Sequence, residues 1–283
     1  MKSITLINSS LTLILLVITL TGCTNQNYKP VNLSYLNSSN ITNSSITTIV
    51  PEMRLYNNGT NIFFFKSNSN CELIYLPQNI TYLIDCGGSN YLEIMGKIKR
   101  LGIDHIDNFI ATSPTYDNMN LDKMLLRFKP DMIYDTGIPN SFSSYRDLNI
   151  TNVTIISKNI SIDGIYMTPT YSDGFLTSIE ANMIVVSTKD AVFINGCYGN
   201  CEERFTGKNF KVMFLGNAGQ CPTNSPKFLI QINPDVVIGR STICGVSGCG
   251  NVCNTIQDYI TAMDIQYYDQ ASRDIQLVDG AVV

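Results

Sequence analysis

"LIDCGGSNYLEIMGKIKRLGIDHIDNFIATSPTYDN", Leu83 to Asn118, holds a strand, a glycine turn, a helix, a second strand and a polar loop in one unbroken run. In "SNYLEIMGKIKRLG" the apolar residues Leu92, Ile94, Met95, Ile98 and Leu101 fall on one face at helical spacing, and Gly102 supplies a stop. "TYLID" before it and "IDNFIAT" after it are β-branched and aromatic runs of strand length. Strand, crossover helix and strand make a βαβ unit, which packs a helix on a sheet face. The loop that follows, "ATSPTYDNMN" (Ala111–Asn120), lies at the C-terminal end of a strand, where α/β proteins keep their chemistry. It offers one carboxylate, Asp117, with hydroxyls and amides and no imidazole.

Outward from this run the alternation continues. "NIFFFK" and "CELIYLP" are strands ahead of it, separated by the turn signals "SNSN" and "PQN", and "NLDKMLLRF" and "DMIYDT" are the next helix and strand. The second half opens with the strands "VTIIS", "DGIYMT", "SIEANMIVVST" and "AVFING", then a helix-like "CEERF" and the strand "KVMFLG". It closes by alternating "PKFLIQI", "PDVVIG", "VCNTIQDYITAM", "IQYYD" and "RDIQLVD". Two mixed halves, each opening with antiparallel strands, predict an α/β protein with two sheets face to face and helices outside. The basic cluster "GKIKR" (Gly96–Arg100) reads as the solvated face of a helix.

Ahead of the folded part, Met1-Lys2 leads into an apolar stretch ending in "LTGC" at Cys23, which reads as an export signal over residues 1–22 and looks like the lipobox of exported lipoproteins. Cleavage there would leave Cys23 as a lipid-bearing N-terminus, and an uncleaved signal anchor is the alternative. Either places the rest on the extracytoplasmic face of a cell membrane. Residues 23–52 then form a Ser/Thr/Asn-rich flexible spacer, and residues 53–283 the folded domain. Nine Asn-x-Ser/Thr sequons follow Cys23, at Asn32, Asn37, Asn40, Asn43, Asn58, Asn79, Asn149, Asn152 and Asn159, and fit an exported, glycosylated chain. With 19 Lys+Arg against 23 Asp+Glu the chain has no broad basic field, which argues against nucleic acid as a partner. An extracellular ligand or protein is expected instead.

The ordered series "ELIYLP…TYLIDCGG…LEIMGKIKRLGIDHIDNFIATSPTYDN…LLRFKPDMIYDTG" resembles the start of the metallo-β-lactamase fold, in particular the ComEC-type domain of competence DNA-uptake proteins. The likeness runs on through "SIEANMIVVSTKDAVFING", "FKVMFLGNAGQ" and "PDVVIGRS" to "RDIQLVDG", from about Asn61 to Gly280. It implies an αββα four-layer sandwich and, in the family, a hydrolytic site of two zinc or manganese ions held by imidazoles and carboxylates. Laid on this chain, the His-x-His-x-Asp-His positions become Ser113, Thr115, Asp117 and Asn118. The bridging carboxylate falls on Cys197 and the later His on Asn217, so of these positions Asp117 alone keeps its ligand type. Neutral hydroxyls and amides do not replace His for zinc. The single His of the chain, His105, stands ahead of the strand and reads as an exposed loop residue.

The resemblance with its ligands replaced therefore implies no metal cofactor and a non-catalytic binding or structural module. Asp85 in "LIDCGG" borders the same cleft, either as a turn carboxylate bonded to loop amides or paired with Asp117. Ser113 has no His or Lys at motif distance to activate it. Besides Cys23, eight cysteines remain, at 71, 86, 197, 201, 221, 244, 249 and 253. Outside the cell an even set reads as disulfides rather than as a Cys-bound metal knot. Cys71 with Cys86 is the expected first pair, then Cys197 with Cys221, the other four sharing the remaining bridges. Two rivals to the binding module stand: a phosphodiesterase or nuclease with a rearranged metal site, and an envelope or adhesion protein whose glycosylated stalk carries the function.

Overall fold

Successive side chains of a strand point to opposite faces, and here both faces are apolar. In β1 (Asn61–Phe64) Ile62 and Phe64 enter one cluster while Phe63 enters another. The same split recurs in β2 (Cys71–Tyr75) and β3 (Thr81–Asp85). A sheet apolar on both sides must be covered on both, which fixes its place in the interior of a layered sandwich. The computed structural model describes residues 52–283 except 68, 114–119, 138–151, 173–180, 195–196, 198, 217–223 and 241–253. The signal segment, Cys23 and most of the spacer lie outside the described residues.

The first sheet continues through β4 (Asn108–Ala111), β5 (Met132–Asp135) and β6 (Val153–Ile155), which run parallel to β3. The second contains β7 (Ile160–Ile162), β8 (Ile165–Ser172), β9 (Ala181–Thr188), β10 (Val192–Phe193), β11 (Val212–Phe214), β12 (Val236–Gly239) and β13 (Gln266–Asp269). The C-terminal hairpin, β14 (Ile275–Val278) and β15 (Ala281–Val282), returns to the first sheet and pairs β14 with β1. The strand orders are therefore β15-β14-β1-β2-β3-β4-β5-β6 and β13-β12-β11-β10-β9-β8-β7. Two self-contained halves, each with its own sheet, would have kept that hairpin in the second.

Three buried clusters define four layers. Between the sheets lie Ile62, Phe64, Ile84, Ile110, Ile184 and Phe214, with Phe64 and Phe214 stacked at 5.9 Å. Outside the first sheet, α1 (Tyr91–Arg100) and α2 (Leu121–Phe128) press Ile94, Ile98, Met124 and Phe128 onto Leu83 and Phe109. Outside the second, α3 (Pro226–Ile232) and α4 (Asn254–Ala262) press Phe228, Leu229 and Ile256 onto Met213 and Val237. This is the expected αββα sandwich.

Two polar groups inside these layers depart from the simple pattern. Lys97, in the "GKIKR" cluster expected to be solvated, is buried, with its ammonium 2.9 Å from Glu93 and 2.9 Å from Asp274, while Lys99 and Arg100 are exposed. Tyr82 is fully buried between the sheets and donates its hydroxyl to Asp163 at 2.8 Å. Burial first, and then the Asp163 carboxylate, push its pKa above the ordinary 10.0.

Candidate functional site

The parallel strands β3, β4 and β5 end at one edge of the first sheet, and the cleft positions lie there. Asp85 closes β3 with φ of 55°, followed by Cys86 at 66° and Gly88 at 74°. Left-handed backbone is costly for residues other than glycine, so side-chain bonds must hold it. Asp85 is fully buried, and its two oxygens accept from the Thr112 amide at 2.8 Å and the Thr112 hydroxyl at 2.6 Å. Cys86 is bridged to Cys71, the first residue of β2. The Thr112 carbonyl in turn accepts from the Ile184 amide of β9 at 2.7 Å, joining the two sheets at this edge. Ser113, the next residue, is half-buried.

The second sheet contributes the other lip. Cys197 is fully buried and bridged to Cys201. This corrects the expected pairing of Cys197 with Cys221: the chain turns into the 3-10 segment Gly199–Phe205, and Cys201, the third residue of that segment, comes within 5.8 Å of Cys197, Cα to Cα. The Cys197 carbonyl accepts from the Asn224 side-chain amide, and the Asn224 carbonyl oxygen accepts from the Gly216 amide at 2.6 Å. Glu202, inside the same 3-10 segment, accepts from the Ser225 amide at 2.7 Å and the Ser225 hydroxyl at 2.6 Å. Ser225 is also the N-cap of α3, accepting from the Phe228 amide at 3.1 Å. One buried Asn and one Glu thus lock the loop ends after β10 and β11 to the start of a helix.

Thr115, Asp117, Asn118 and Asn217, and the cysteines Cys221, Cys244, Cys249 and Cys253, lie outside the described residues. The described positions do not fit a pair of metal ions. Cys197, the position to which the resemblance assigns a bridging carboxylate, has its sulfur in a disulfide, and a metal ligand must be a thiolate. Asp85 spends an oxygen on each donor of Thr112.

Sequence reasoning missed Asn224, Glu202 and two buried charges at the same edge, Glu72 in β2 and Arg240 just after β12. "NSP" at Asn224–Pro226 is a legible helix start, since Ser before Pro is an N-cap signal; nothing marks Glu202 or Arg240. His105 also gained company. Its Nε2 lies 3.2 Å from Asp131 and 3.9 Å from Asp107, and the three ligand-type atoms all fall within 4.8 Å of one another. His105 is exposed, as expected, and the group sits at the N-terminal ends of β4 and β5, the opposite end from Asp85.

No family model and no curated protein matches the sequence. The fold has solved counterparts. The metallo-β-lactamase fold protein YhfI of Bacillus subtilis superposes with a TM-score of 0.52 at 11% identity, covering 78% of this chain and 99% of that one. A metallo hydrolase from the archaeon Ignicoccus hospitalis gives 0.52 at 12% identity, covering 78% and 99%. A possible metal-dependent hydrolase from Veillonella parvula gives 0.50 at 13%, covering 80% and 98%. Near-complete coverage of each neighbour by one uninterrupted architecture leaves a single conclusion about the scaffold: this chain has the metallo-β-lactamase fold.

Proposed function

We propose that this chain is a non-catalytic binding module of the metallo-β-lactamase fold, of ComEC type, held on the extracytoplasmic face of a membrane by its N-terminal segment. The observation that carries this reading is Cys197. The position to which the resemblance assigns the family's bridging ligand holds a buried sulfur bonded to the cysteine four residues on, and the loop around it is bolted to the start of α3 by Asn224 and Glu202. Building a two-metal site there would require breaking a covalent bond and emptying a filled edge. The described sequons Asn58, Asn79, Asn152 and Asn159 are all exposed, which supports an exported, glycosylated chain.

The test is metal analysis and hydrolysis by the full chain purified without chelator. The expected result is substoichiometric zinc and manganese and no turnover of bis-p-nitrophenyl phosphate. Stoichiometric metal, lost together with phosphodiesterase activity in Asp117→Ala, would overturn it. A hydrolase with a rearranged site is the second reading, and the His105–Asp107–Asp131 group favours it. Metal and activity lost in His105→Ala but kept in Asp117→Ala would establish that alternative.

A further inference from the structure

Next to the strand ends of the first sheet, where Thr136 follows β5, a groove of about 1260 Å³ opens on the outer face of β8 and β9, with the β6–β7 connection as one wall and the segment from Arg204 to Phe210 as the other. The charged residues among its described lining are Lys158, Lys189, Arg204 and Lys208, all exposed and all cationic. The chain as a whole carries a net charge of −4, so this concentration of one sign is local. A concave surface of one sign focuses the field and draws in the opposite charge.

One of the four cations is held by a hydrogen bond, and a second runs its stem past the backbone of a glycine. The Arg204 guanidinium donates to the Pro169 carbonyl on the groove floor. The Lys189 stem lies over Gly164, where an added Cβ would stand 3.0 Å from the Lys189 Cδ. The wall bearing Arg204 is itself fixed by the Cys197–Cys201 bridge and by Glu202 on Ser225. Preorganised donors lose less freedom when a ligand arrives.

The floor says what kind of anion fits. Thr168, Thr170 and Ser187 present hydroxyls, each able to donate and to accept, as the hydroxyls of a sugar do. A single-stranded nucleic acid is gripped by a series of exposed rings. Here Tyr166, at 43% exposure, offers one, while Phe205 and Phe210 are buried at 5% and 8%. We infer that this groove binds an acidic oligosaccharide, its carboxylate or sulfate groups on the lysines and Arg204 and its hydroxyls on the β8–β9 floor. This rests on the reading of the chain as a binding module and names the ligand class.

The test is calorimetric titration of the full chain, produced without glycans and kept in detergent, with a sulfated heparin hexasaccharide, neutral maltohexaose and an oligothymidylate. The heparin fragment is expected to bind, with affinity falling about tenfold in each of Lys189→Glu and Lys208→Glu. Lys99→Glu, on the exposed side of α1, should leave it unchanged. Lys189→Gln and Lys208→Gln, with smaller losses in the same order, stand in if a reversal fails to fold. Failure of heparin to bind, equal binding of maltohexaose, equal loss in Lys99→Glu, or tighter binding of oligothymidylate through the same lysines would overturn the assignment. A missing heparin signal would leave the non-catalytic reading standing, because metal content and hydrolysis decide that separately.

Discussion

Gly216 shows at the scale of one residue how tightly the cleft edge is closed. A Cβ there would meet the Cys197 carbonyl oxygen at 2.5 Å and its carbon at 2.7 Å, both backbone atoms that cannot swing away. Gly216→Ala must therefore push apart the loops after β10 and β11 and stretch the Asn224 hydrogen bonds that span them. We expect a loss of about 1–3 kcal/mol in stability, measured by urea denaturation, with the disulfide still formed. None of this was readable in advance. "FLGNAG" reads equally as a strand end and a glycine turn, and the partner atom is 19 residues away in sequence (216 less 197).

At the scale of elements, α1 was legible and one of its residues was not. The apolar stripe, from which Leu92 departs at 65% exposure, and the Gly102 stop place the helix, since both are local. The burial of Lys97 is not periodic information: it depends on Asp274, which arrives with the turn between β13 and β14. Asp274 also accepts from the Lys66 amide at 2.5 Å, so its loss would take an acceptor from two donors and leave the buried ammonium with only the exposed Glu93 as its ion-pair partner. Asp274→Ala is expected to cost about 2 kcal/mol, below the full range for a buried pair because the Asp274 side chain keeps 26% of its exposure. Glu93→Ala, removing a partner that is 58% exposed, should cost less than about 1 kcal/mol. Paired thermal melts of the two variants check the order, and equal losses would contradict it.

At the scale of the molecule, the core between the sheets carries a pH limit. Tyr82 and Tyr134 both have pKa values raised by burial, and Asp163 adds to each. Below the ordinary tyrosine value of 10.0 the phenols are protonated in folded and unfolded chains alike, and the stabilisation from keeping them neutral is fully present. Above it the unfolded chain ionises first and the folded one resists, so stability falls as pH rises from about 10 towards the folded values. Urea midpoints should therefore be level between about pH 8 and 9 and drop steeply above about pH 10, less steeply in Tyr82→Phe. A slope unchanged by that substitution would show that other groups set the alkaline limit.

The sandwich itself was legible because layer order follows from which elements alternate and which faces are apolar, and both are written locally in "LIDCGGSNYLEIMGKIKRLGIDHIDNFIATSPTYDN" and its flanks. The Cys71–Cys86 bridge was legible for the same reason, since adjacent strands ending at one edge set it. By itself the sequence determined the fold, through period and turn chemistry, and the absence of imidazole from the loop Ala111–Asn120. Only the tertiary structure decided that Cys197 bonds Cys201, that Asn224 and Glu202 seal the second lip, that Lys97 is buried, and that four cations share one groove. Each of these joins residues by distance in space, and the energy of such a contact depends on burial and direction, which no local pattern of residues encodes.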